Sequence, residues 1–163
     1  MSRPTEFRAT SPHPVDRVYA ALVDRQILSD RLATMGGPGA AILEYTGDEN
    51  GCKYRIRHGI DEKDLPGVVK SFVGSRGITI ERDESWTRSG DGYDGTVGVE
   101  LPGMPAGAQG TMRLAPKGEG SELVVNVDVT VKVPILGGKI EESVAQQIHR
   151  LLEMETEYTL SRI

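Results

Sequence analysis

Glu155 is the residue of this 163-residue chain that fits its surroundings least. Placed at 100° per residue, the C-terminal segment "GGKIEESVAQQIHRLLEMETEYTLSRI" gathers Ile140, Val144, Ala145, Ile148, Leu151, Leu152 and Tyr158 on one side of a helix. Glu142, Gln146, His149, Arg150, Glu153 and Glu157 take the other side. Glu155 projects into the middle of the apolar stripe, with Glu141 and Thr159 at its edge. A lone carboxylate in an apolar setting is costly unless it is paired, hydrated or neutralised. Three settings fit it: a helix end that overhangs the sheet, the polar lining of a cavity, and an internal ion pair. The stretch "ITIERDESW" offers a partner for the third. In a strand it sets Ile78, Ile80, Arg82, Glu84 and Trp86 in one phase. If that face is inward, Arg82 can meet Glu155. A β-bulge, or a strand running beyond the helix, would instead return both charges to solvent.

The stretch "CKYRIRH" carries the other candidates. It puts Cys52, Tyr54, Ile56 and His58 on one face and Lys53, Arg55 and Arg57 on the other. A histidine on the wall of an apolar cavity can serve as a general acid or base; it can equally be a satisfied structural side chain. Cys52 reads as a small buried hydrophobe, since a reactive thiol needs an electropositive, partly open setting. His13 falls at a helix start and His149 on a polar helix face. No His, Cys and carboxylate spacing matches a zinc site, so neither metal nor cofactor is expected. There is no G-x-S-x-G, P-loop or dinucleotide fingerprint, and "GGPGA" lacks the Lys-Ser/Thr of a P-loop.

The elements that position these residues follow from periodicity. "TEFRATS" alternates as a half-buried strand. "PHPVDRVYAALVD" has Pro and Asp where a helix start favours them, with Val15, Val18, Tyr19 and Leu22 at helical spacing. "RQILSDRLATMG" predicts a second short helix, with Ile27, Leu28, Leu32 and Met35 on one side. Two strands joined by "GDENG" come next, then an irregular stretch "DEKDLPGVVKSFVGSRG" with a short helical turn. "ITIERDESW", "YDGTVGVEL", "GAQGTMRLA" and "ELVVNVDVTVKV" predict four more strands. In the last, Leu123, Val125, Val127, Val129, Val131 and Val133 share one face, as in a sheet covered on one side. A final helix of roughly 24 residues would span about 36 Å and supply the cover. Consecutive strands with short connections make an antiparallel sheet, and the class is α+β. Gly95, Gly98, Gly107 and Gly110 mark strands that bend or are closely approached.

The bulk numbers limit function. One domain, 1–163, is expected at this length. A net charge of -5 disfavours nucleic acid and anionic membranes. A single cysteine, and an N-terminus without an apolar run, predict a cytoplasmic protein with no stable membrane insertion. Aromatics make up 5% of residues, so small and aliphatic side chains fill the space, which fits an internal hollow or a plainly packed aliphatic core.

The opening strand leading into "SPHPVDRVYAALVD", the helix pair, the strand run with Trp86, and "VPILGGKIEESVAQQIHRLLEMETEYTLSRI" together resemble the START-like, or SRPBCC, superfamily. This is the helix-grip fold of the birch-pollen allergen and polyketide cyclases. The "VP…GGKIE" turn is similar to that of an uncharacterised actinobacterial family within it. The resemblance implies a seven-stranded antiparallel sheet curled around the last helix, two short helices after strand 1, and an apolar cavity between sheet and helix. It implies binding of a lipid, sterol or polyketide-like molecule. The candidate lining is Tyr54, Ile56, His58, Ile80, Arg82, Trp86, Val97, Met112, Val127, Ile148, Leu151, Leu152, Glu155 and Tyr158. Three functions are compatible with this: a carrier of a small hydrophobic molecule; a cyclase or dehydratase using His58, Glu155, Arg82 or Tyr54; and an interaction module without ligand. A monomer or homodimer is expected.

Overall fold

The computed structural model describes residues 2–73 and 77–163, and only the backbone of Phe72. Residues 74–76, part of the irregular stretch, lie outside the described residues. The elements follow in the order β1 (Ser2–Ser11), α1 (Val15–Leu22), α2 (Arg25–Met35), β2 (Ala41–Asp48), β3 (Gly51–Ile60), a 3-10 turn (Glu62–Asp64), α3 (Gly67–Val73), β4 (Ile78–Ser89), β5 (Gly92–Glu100), β6 (Ala106–Lys117), β7 (Gly120–Val131) and α4 (Gly137–Leu160). The architecture is the helix-grip one expected. The helical turn expected within the irregular stretch is a full short helix, α3, and the final helix starts at Gly137 and stops at Leu160.

All pairings are antiparallel, and the strand order is β1-β7-β6-β5-β4-β3-β2. β4 pairs without a register break, so no bulge flips its phase, and Ile80, Arg82, Glu84 and Trp86 stay on one face. Cross-strand rows run over that face. Ile56, Arg82, Val99, Ala108 and Val129 form one row; Tyr54, Glu84, Val97, Gly110 and Val127 form the next.

The helix packs on β1 and β7 at one edge, yet Glu155 of α4 also reaches Arg82 on β4. Four strand spacings separate β1 from β4, about 19 Å across a flat sheet at roughly 4.8 Å each. One helix can touch both only if the sheet curls around it. Gly110 shows how closely the backbones approach there, because a Cβ at this position would overlap the Asn126 carbonyl oxygen of β7. A Cβ at Gly95 would meet Met112 Cε at 2.9 Å and Trp86 Cε3 at 3.0 Å, so the glycine makes room for the one tryptophan.

The apolar interior forms two clusters. The larger joins β1, α1 and α3 to β4–β7 and α4, and includes Phe7, Trp86, Met112, Leu114, Val125, Val127 and Ile140. The smaller packs Leu28 and Leu32 of α2 on Cys52, Tyr54 and Ile56 of β3. The turn into α4 is closed by a buried acid. Glu141 accepts a hydrogen bond from the Val131 backbone N–H at 2.9 Å.

Gly110→Ala is expected to cost about 1–3 kcal/mol, because the added methyl has only backbone to displace. Equilibrium urea unfolding checks this; an unchanged midpoint would mean the strands do not approach so closely.

Candidate functional site

Between the two apolar clusters lies a group of buried charges drawn from four elements. Glu155 of α4 is 4% exposed. Both of its carboxylate oxygens accept hydrogen bonds from Arg82 Nη2, each at 3.0 Å. Arg31 of α2 brings its Nε to 3.8 Å from Glu155 Oε2, close enough for ionic attraction and too far for a hydrogen bond. On the other side of Arg82, Glu84 Oε2 sits 3.0 Å from Nε, off the N–H direction, so this contact is ionic as well. His58 of β3 completes the group. Arg31, His58 and Arg82 are each 5% exposed.

These placements follow from local sequence. β3 and β4 are adjacent and in register, so Ile56 stands opposite Arg82 and His58 opposite Ile80. α2 is anchored by Asp24, whose side chain accepts from the Ile27 N–H at 2.9 Å. Leu28, Arg31 and Leu32 are the buried residues of that helix. The loop after α2 is pinned to the end of β3, where the Gly59 N–H donates to the Gly36 carbonyl at 2.8 Å. Gly37, with φ at 76°, lies so close to Gly59 that a side chain at either would strike the facing backbone. "GGPGA" is therefore the element that seals α2 against the His58 strand.

The electrostatics follow from burial and neighbours. Burial alone would push the Glu155 carboxyl up, but the Arg31 and Arg82 charges outweigh it, and the group is held below its ordinary value. His58 is lowered to about 4, by burial first and by the Arg82 charge second, with Glu155 opposing. The imidazole is therefore neutral at physiological pH. Tyr54 is pushed well up by burial and by the Glu84 charge. Burial also pushes the Cys52 thiol up, which leaves it a buried thiol rather than a nucleophile.

Of the candidate lining residues, the structure joins His58, Arg82 and Glu155 in this cluster and sets Tyr54 and Ile56 beside it on the same face. Trp86, Val97, Met112 and Val127 are buried on the inner face, and Ile80 is half-buried. Ile148, Leu151 and Leu152 are half-buried along α4. Tyr158 stands apart: it is half-buried, its ring lies under the Arg162 guanidinium at 4.4 Å, and its hydroxyl accepts from Arg162 Nη2 at 2.7 Å. Two further residues belong to the cluster. Arg31 sits three residues after Leu28 and four before Met35, on the apolar side of its helix, which was the signal available for it. Glu84 shares the phase of Arg82. Two hollows on the outer sheet face, about 360 and 620 Å³, are lined mainly by polar side chains such as Asp83, Thr96, Gln109, Thr111 and Asp128. Glu84 also borders the larger hollow, whereas Arg31, His58, Arg82 and Glu155 line neither. Among the described residues no set of His, Cys, Asp and Glu is placed to hold a metal, and no helix is long and apolar enough to cross a membrane.

The family model described as "Protein of unknown function (DUF2505)" matches residues 6–163. The chain belongs to this family. The uncharacterized protein Rv0481c of Mycobacterium tuberculosis is 24% identical over 168 residues, covering 98% of this chain and 95% of the relative. Among solved structures, TTHA0849 from Thermus thermophilus superposes with a TM-score of 0.62 at 19% identity, covering 97% of this chain and 99% of that one. The Zhui aromatase/cyclase from Streptomyces sp. R1128 gives 0.60 at 14% identity, covering 99% and 93%. Ara h 8.0201 gives 0.56 at 17%, covering 99% of each chain. At these identities the likeness shows the helix-grip fold.

His58 dictates an acid-labile step. Its folded pKa lies below the unfolded value of roughly 6.5, so the unfolded chain binds more protons. Stability is full above that value and falls as pH drops toward about 4. The charges facing it are Arg82 from β4, Glu155 from α4 and Arg31 from α2. The expected loss between neutral pH and about 4 is roughly 2–3 kcal/mol. His58→Leu should remove that part of the slope, leaving the carboxylate losses at lower pH. Unfolding free energy measured against pH for both proteins decides it; parallel slopes would show that the imidazole titrates freely.

Proposed function

We propose that the protein binds and carries a small, largely apolar molecule in its interior, between the sheet and α4. The observation that carries this reading is the polar cluster itself. A group of two buried arginines, the buried Glu155, the half-buried Glu84 and a neutral histidine stands between apolar clusters, with Arg31 Nε and Nη2, Arg82 Nε and His58 Nε2 making no hydrogen bond among the described residues. A core built only for stability does better with hydrophobic packing, since buried ion pairs return little net free energy. A site that must orient a guest uses an apolar wall with a few placed polar groups. The helix-grip fold supports the same reading, as do the superfamily resemblance and an aromatase/cyclase among the structural neighbours.

A cytoplasmic location belongs to this proposal, supported by the free, buried Cys52, as does a monomeric or homodimeric state. Catalysis of the cyclase or dehydratase kind is the second reading. It is favoured by His58, a neutral imidazole beside Arg82 and Glu155.

Native mass spectrometry and organic extraction of the protein purified from its natural host are expected to recover an apolar small molecule. Val127→Trp, which fills the inner face opposite Gly110, is expected to lose it. Conversion of that molecule by the wild-type protein but not by His58→Leu would make the protein an enzyme. A protein that is always empty and also ignores fluorescent sterol and neutral lipid probes would refute carriage.

A further inference from the structure

We propose that one edge of the Arg31 guanidinium is a subsite for a neutral oxygen acceptor on the ligand, a carbonyl or ether group, and that it selects against a carboxylate. The inference rests on the carrier reading above.

Nε and Nη2 are the two nitrogens of one edge of the guanidinium, the pair that presents parallel N–H groups to oxygen. In Arg31 both are buried and neither makes a hydrogen bond among the described residues. The same holds for His58 Nε2. The neighbouring carboxylate of Glu155 is already engaged twice by Arg82 and stays 3.8 Å from Arg31 Nε. Arg31 is thus held by charge but not satisfied by hydrogen bonding. A buried donor left unmatched is expensive, so this edge favours any guest that brings it an oxygen.

Charge balance then sets the kind of oxygen. Two guanidiniums, Arg31 and Arg82, face two carboxylates, Glu84 and Glu155, and His58 is neutral. The cluster is electrically complete. A carboxylate guest would add a third negative charge to two positive ones in a buried place, and Glu155 would repel it directly. A purely apolar end would leave the Arg31 edge unmet. A ketone, ester or ether oxygen accepts from that edge without altering the charge.

The test uses three probes with the same number of carbons: decyl methyl ketone, dodecanoic acid and dodecane. Each competes with Nile red on the full-length protein at neutral pH. The wild type is expected to bind the ketone at least roughly tenfold more tightly than either the acid or the alkane, the worth of a hydrogen bond to a charged donor. Arg31→Met should bring the ketone down to the alkane and leave the alkane unchanged. Arg31→Lys keeps the charge but loses the paired donors, and guards against a folding artefact. It should also weaken the ketone alone. Acid bound as tightly as ketone, or a ketone preference that survives both variants, overturns the subsite. Ketone and alkane bound equally by the wild type overturns the subsite while leaving carriage intact. If none of the three binds, carriage itself fails and the subsite falls with it.

Discussion

The contact on which the rest depends is the pair of hydrogen bonds from Arg82 to Glu155. It joins the middle of the sheet to the last helix, which otherwise packs at the opposite edge. Burying either charge alone would be prohibitive; together they are tolerable only at hydrogen-bond distance. That requirement fixes how far the sheet must curl. It also fixes the rotation of α4, because Glu155 must point inward, and with it Thr159 one turn on, whose hydroxyl donates to the Glu155 carbonyl at 2.9 Å. At the other end of the helix Glu141 plays a similar part by accepting the last β7 amide. Two buried acids therefore set the pose of α4, while Ile140, next to Glu141, and Ala145, one turn on, supply buried apolar contact.

This arrangement costs stability relative to an aliphatic seam, and the cost has a use if the interior must recognise something. The apolar clusters provide area but no orientation. The charged cluster provides orientation and, with its charges balanced, no net field to draw in an ion. His58 sits at this junction, neutral because it is buried beside Arg82. Its protonation on acidification would disturb the balance by placing a third positive charge next to the two arginines.

Much of the fold was legible because period and punctuation agreed. The valine ladder from Leu123 to Val131 and the glycine-bounded strands gave the sheet, and the long amphipathic C-terminus gave its cover. The site was legible as an anomaly: Glu155 breaks its stripe, and Arg82 and Glu84 occupy the inward phase of β4. Periodicity reports which face a residue is on, not how far a sheet curls, so it leaves overhang, cavity and ion pair open; the curl that brings β4 within reach of Glu155 makes the ion pair. Arg31 was missed for a related reason. An arginine with a long aliphatic stem is ordinarily compatible with an apolar helix face because its head can reach water. Only the packing of α2 on β3, sealed by Gly36 and Gly37 against Gly59, shuts that route. The helix α3 resembles a turn within a loop at the level of sequence, since seven residues bounded by glycine carry little periodic signal.

A double-mutant cycle on Arg82→Met and Glu155→Leu, followed by equilibrium urea unfolding, addresses the central claim most directly. Each single variant unbalances the charge of the cluster, whereas the double variant removes one charge of each sign and leaves Arg31 and Glu84 with no net charge between them. The account predicts a coupling of about 2 kcal/mol or more, with the double variant at least as stable as either single one. Additive losses within roughly 0.5 kcal/mol would contradict it, because the helix would then be held to the sheet without this pair.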